Sequence, residues 1–93
     1  VPEMMFDVRW PDGTEVSYYS PSLVVTEHLD TGTTYPVAEF VTRSRTCMEI
    51  ADSRVRAKYG FGCAQSARTI ALIDAAAGRF APTDEVRVQG FRR

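Results

Sequence analysis

One histidine (His28) and two cysteines (Cys47 and Cys63) occur among the 93 residues. These are too few and too scattered to supply the three or four ligands of a zinc site, so no metal is expected. No apolar run approaches the ~18 residues that cross a bilayer, so no membrane association is expected. The opening Val1-Pro2-Glu3-Met4-Met5 has no basic start leading into an apolar stretch. A secretory signal is therefore not expected, and the cytoplasm is the expected compartment. A phosphate-binding glycine loop, a dinucleotide fingerprint, zinc spacing and a serine-hydrolase elbow are all missing. No cofactor is expected on that ground, and whether the chain is an enzyme stays open. Repeats, low-complexity tracts and linkers are missing too, which leaves one small domain over residues 1–93.

The charge that is present is unevenly placed. The net charge of −1 argues against general nucleic-acid binding. Residues 1–39 hold seven acids and one base, a net of −6, while residues 40–93 hold ten bases and five acids, a net of +5. Either the halves neutralise each other in the fold, or the second half offers a basic face to an acidic partner. The two thiols are expected to stay free. Cys47 lies about 13 residues, roughly 19 Å of helix, before Gly60, and bridged Cα atoms must come within ~7 Å. Free thiols fit a reducing compartment.

Met4, Phe6, Val8 and Trp10 alternate with Met5, Asp7 and Arg9, a period of two that marks a half-buried strand. Pro11-Asp12-Gly13 supplies a hairpin turn, and Val16 and Tyr18 alternate along the return strand. Ser20-Pro21 reads as a helix start, with a short helix over 22–28 weakened by Val24-Val25. A loop over 30–34 follows, and Pro36 is expected at the first position of a long helix. Positions 37, 40, 41, 44, 48, 51 and 55 carry the apolar stripe of that helix. Gly60 ends it in the left-handed conformation, with Phe61 able to fold back on it. A third helix over 64–80 uses Ala67, Ile70, Ala71, Ile73, Ala77 and Phe80 as its buried side. Val86 and Val88 mark a last strand, and 90–93 read as a fraying tail. The expected fold is α+β: a two-layer sandwich of order ββαααβ. Its three-stranded antiparallel sheet carries its helices on one face, with the first strand in the centre.

Arg9-Trp10-Pro11-Asp12-Gly13, Tyr19-Ser20-Pro21-Ser22, Tyr35-Pro36 with Phe40, and Arg54-Val55-Arg56-Ala57-Lys58-Tyr59-Gly60-Phe61 with Cys63 form an ordered set over most of the chain. That set resembles a small family of bacterial nitrogen-starvation-response proteins. Gly62 stands where the resemblance leads to alanine. The resemblance implies a gene neighbourhood rather than a reaction: clusters encoding a nitrilase, a radical-SAM enzyme, an acetyltransferase and a flavoprotein, tied to nitrogen limitation and nitrile or cyanide use. It brings no catalytic residue with it.

The residues themselves offer three functional readings. The first is an accessory protein that binds a protein partner, its interface drawn from Trp10, Tyr59 and the arginine-rich surface, since Tyr, Trp and Arg concentrate at interfaces. A homodimer is a further expectation from the small size and aromatic content. The second is a thiol-dependent enzyme or redox sensor at Cys63, a weak catalytic candidate at a helix N-terminus beside Lys58 and Arg68. The third is a small-anion module using Arg54, Lys58 or Arg68. Cys47, inside an apolar stripe, reads as core filler, and His28 as a half-exposed residue near a helix end.

Overall fold

A computed structural model describes residues 3–62 and 64–93. Strands β1 (Met4–Arg9) and β2 (Glu15–Ser20) form the expected hairpin, with Phe6 opposite Tyr18 and Val8 opposite Val16. Gly13 turns it at φ 87°, a conformation that favours glycine. The Thr14 amide donates to the Asp12 carboxylate across the turn at 3.0 Å. Helix α1 is a single turn, Val25–His28, shorter than the expected 22–28. Ser20 and Ser22 hold the preceding residues in serine turns instead: Ser20 Oγ donates to the Ser22 carbonyl, and the Val24 amide donates to Ser22 Oγ.

The sheet has four strands rather than three. Thr34–Pro36 forms β3, so the element order is ββαβααβ, with β4 at Glu85–Arg92. The strand order is β2-β1-β4-β3, all antiparallel, which places β1 between β2 and β4 as expected. Pro36 is the last residue of β3, with extended backbone, rather than the first of the long helix. The helix begins one residue later, and its first two amides are met by backbone. Val37 N–H donates to the Asp84 carbonyl at 2.7 Å and Ala38 N–H to the Pro82 carbonyl at 3.1 Å.

Residues 90–92 are strand as well, not tail. The register shifts between Asp7, opposite Gly90, and Val8, opposite Val88, leaving Gln89 as the extra residue of a bulge. The bulge puts Phe91 opposite Phe6 and packs it on the core. It also sets Arg92 across the open face, donating to Asp7 at 2.9 Å. Hydrogen bonds from Arg92 and Ser17 hold the Asp7 carboxyl below its ordinary range, against a smaller opposing effect of burial. A depressed folded value means that this stabilisation is present above the ordinary carboxylate range and is lost as pH falls through the folded value. Arg92→Ala is expected to return the Asp7 carboxyl toward the usual range, read by an NMR titration. An unchanged Asp7 titration would show that Arg92 does not set it.

Helices α2 (Val37–Tyr59) and α3 (Ala64–Ala77) form a hairpin over one sheet face. Phe6, Val8, Tyr18, Val86 and Val88 from the sheet share one core with Phe40, Cys47, Met48, Ala51 and Ile73 from the helices. The buried positions of α3 are Ser66, Thr69 and Ile73, not Ala67 and Ala71, which are exposed. The helix leans toward the β2 edge, where Thr69 Oγ1 donates to the Tyr19 carbonyl at 2.7 Å. That contact covers part of the β2 edge of the sheet.

Cys47 is fully buried and free, and burial pushes its thiol up to about 12. Thiolate is the reactive form. Alkylation of Cys47 by iodoacetamide at neutral pH is therefore expected only after unfolding, read by mass spectrometry of the 47-containing peptide. Labelling at the rate of a free thiol in the native protein would contradict the burial.

Candidate functional site

The α2–α3 corner separates itself from the rest by what it does not bury. The last buried residue of α2 is Ala51, and the first of α3 is Ser66. Between them α2 runs on for two turns, about 12 Å at 1.5 Å per residue. Apart from half-buried Asp52 and Val55, its side chains there are exposed. The molecule measures 39 Å along its longest axis, against 23 and 17 Å in the other directions.

Gly60 stops the helix at φ 81° in the left-handed region, its amide donating to the Arg56 carbonyl at 2.8 Å. The chain then reverses toward α3. Tyr59 and Phe61 flank Gly60 and stay in solvent, 49% and 67% exposed, with ring centroids 6.3 Å apart. Phe61 therefore turns back beside Tyr59 rather than into the core. The Lys58 ammonium lies 5.4 Å from the centre of the Tyr59 ring.

Gly62 has a local reason of its own. A Cβ there would come within 2.6 Å of Arg56 Nη2 and 2.9 Å of Asp52 Oδ1, because the Asp52–Arg56 ion pair (2.7 Å) lies against the backbone. This i,i+4 pair is thus also the brace of the turn. An alanine at position 62 would have to displace the Arg56 guanidinium.

The structure divides the candidates named from sequence. Lys58 and Tyr59 sit together at the corner. Arg54 lies one turn before Lys58, and its Nη1 donates to Ser22 Oγ at 3.1 Å, fastening the overhang to the segment before α1. Arg68 lines a different depression of about 360 Å³ beside the β2 edge, with Met5, Tyr19 and Leu72. Arg54 lines a shallow trough of about 390 Å³ along α2, with Ile50, Ser53 and Ala57. The three cations therefore do not converge on one anion. Trp10 is a core residue, 2% exposed, with its indole N–H donating to Tyr18 Oη at 3.0 Å. It cannot serve as a surface anchor. Cys63 lies outside the described residues.

His28 is half-buried at the end of α1, where its carbonyl accepts from Arg43 Nη1 at 2.9 Å. Among the described residues no three His, Cys, Asp or Glu side chains come together as a metal site. No described helix is long and apolar enough to cross a membrane. The residue that sequence reasoning undervalued is Phe61. Its signal was its place one residue beyond a helix-stopping glycine, with no apolar stripe left for it to join.

A four-stranded antiparallel sheet with a helical hairpin on one face defines a small α+β domain, and its α2–α3 corner keeps two aromatic rings and a lysine exposed. The chain belongs to the family of the nitrogen starvation-induced protein NitG, whose family model matches residues 5–91. No curated protein and no solved structure matches the chain.

Proposed function

We propose that this protein is an accessory factor of a bacterial nitrogen-starvation response that works by binding another protein, and that the α2–α3 corner is its contact surface. The observation that carries this reading is the exposed Tyr59–Phe61 pair on an overhang that buries almost nothing. A two-turn helical extension with apolar rings in water gains little within the chain. Its stabilisation has to come from tertiary contact, which a partner would complete. Aromatic and arginine side chains are those that dominate binding energy at interfaces. Membership in the family of the nitrogen starvation-induced protein NitG supports that physiological setting. Products of neighbouring genes, such as the nitrile-directed enzymes implied by the family resemblance, are the first partners to look for.

The test is a photo-crosslinking amino acid placed at position 61 in nitrogen-starved cells, with position 31 in the distant 30–34 loop as control. Discrete protein adducts from 61 that are missing from 31 are expected. Equal labelling from both positions, or none from 61, would remove the corner as a contact surface.

A further inference from the structure

Beyond that reading, and apart from the exposed rings, we infer that the cleft between α2 and the start of α3 binds a small amino acid with an apolar side chain. The cleft measures about 460 Å³, within the roughly 300–1,000 Å³ of small-ligand sites. Met48, fully buried, and Ile70, half-buried, give it apolar surface. Ser66 stands in the same wall, 2% exposed, and its hydroxyl has no hydrogen-bond partner among the described residues. Ser44 and Arg43 also hold a buried polar atom without one, but neither lines this cleft. A buried hydroxyl left unpaired costs stability. Alanine, common along α3, would keep the packing without that cost. The hydroxyl therefore points to a ligand that pairs it.

The two walls of the cleft differ in sign. Ala64 and Ser66 belong to the first turn of α3. The amides of such a turn have no carbonyl of their own helix to meet, and its dipole end is positive. That wall suits a carboxylate, to which Ser66 donates. On the facing side of α2, Glu49, Asp52 and Arg56 are spaced by three and four residues and so share one face. Asp52 and Arg56 hold each other at 2.7 Å, so their charges cancel. Glu49 remains, exposed and outside the ion pairs of the described residues. It suits an ammonium group. An amino acid carries both groups on one carbon and meets both walls at once. Phosphate would set its charge beside two carboxylates held against one guanidinium. A plain amine would leave the hydroxyl and the helix start unmet. The apolar side chain of the ligand rests on Met48 and Ile70.

The probes are leucine, methionine and phenylalanine, titrated into the isotope-labelled full chain and followed by amide NMR. Saturable shifts at residues 49, 52 and 64–67 are expected from at least one of them, with a Kd below about 1 mM. The tightest is compared with the two molecules that lack its ammonium or its carboxylate, isocaproate and isoamylamine in the case of leucine. Each should bind at least about tenfold more weakly, and Glu49→Gln should weaken the amino acid itself about tenfold. Ser66→Ala should weaken it about fivefold or more, yet hold or raise the melting temperature of the free protein, because it removes an unpaired buried hydroxyl. A serine that served packing alone would not give that combination.

No saturable shift from any of the three at about 10 mM would overturn the inference. So would equal affinity for either truncated molecule, or inorganic phosphate moving the same amides as tightly. Binding indifferent to both Glu49→Gln and Ser66→Ala would put the ligand elsewhere on the chain. A clear fall in the melting temperature of free Ser66→Ala would show the hydroxyl already satisfied, and the reason for a ligand would go with it. The cleft and the corner fail separately, since loss of crosslinks from position 61 leaves amino-acid binding untouched.

Discussion

Trp10→Ala is expected to destabilise the protein by about 3–5 kcal/mol. For a chain of 93 residues whose whole stability is about 5–14 kcal/mol, that is close to unfolding. The melting temperature should fall by roughly 12–40 °C. The indole is held from three sides. It meets Phe40 edge-on with centroids 5.5 Å apart, lies parallel to Phe80 at 5.8 Å, and donates its N–H to Tyr18 Oη at 3.0 Å. Phe40 lies in the first turn of α2, next after Val37 in its core stripe, and Phe80 follows the end of α3. One side chain at the end of β1 therefore joins the sheet to both ends of the helical hairpin.

Two smaller changes separate packing from hydrogen bonding. Tyr18→Phe keeps the ring but leaves a buried indole N–H without an acceptor, at about 1–3 kcal/mol. Trp10→Phe with Tyr18→Phe removes donor and acceptor together, and should cost less than the two single changes added. Additive costs in that cycle would show that the hydrogen bond contributes nothing. Burial also raises the Tyr18 phenol above its ordinary range, opposed in part by the bond from Trp10. This contribution is complete below pH about 10 and lost as pH rises toward the folded value.

Trp10 also shows where sequence reading runs out. Alternation placed it on the same face as Phe6 and Val8, which is where it lies. What alternation could not show is whether a residue at the rim of a hairpin is covered. That depends on Phe80, seventy positions away, folding over it. The hairpin itself was legible because a period of two and Pro11-Asp12-Gly13 are local signals, as was α2, with its stripe and its glycine stop. Strand β3 was not legible. Three residues ending in proline carry no alternation, and Tyr35 reveals its place only through pairing with Val86.

The end of β4 escaped for a different reason. The bulge at Gln89 shifts the alternation by one, so Phe91 faces the core although counting from Val86 and Val88 sends it outward. At the candidate site, the sequence gathered Arg54, Lys58 and Arg68 by their charge. Only the tertiary fold could place Arg54 on Ser22 and Arg68 beside the β2 edge. The overhang was hidden in the same way. A helical stripe shows which face is apolar, but the point at which the sheet beneath it ends is set by strands elsewhere in the chain.

Gly60 sets both the corner's shape and its exposure, and a substitution series there should separate backbone strain from crowding. A Cβ at this position meets nothing within 4 Å, so any cost comes from the left-handed φ of 81°. Gly60→Ala should cost about 1–2 kcal/mol, and Gly60→Val more, since a β-branched residue is least suited to that region. Gly60→Asn should cost the least, because asparagine enters it readily. The overhang shares few contacts with the core, so the chain can relieve the strain by unwinding the end of α2 instead of unfolding as a whole. The melting temperature should accordingly drop by less than the strain implies, while amide exchange over residues 56–62 speeds up in the order Asn, Ala, Val. Unwinding there separates Tyr59 from Phe61, so crosslinking from position 61 should decline in the same order. Equal exchange rates across the series would mean that the left-handed turn at residue 60 does not hold the corner in place.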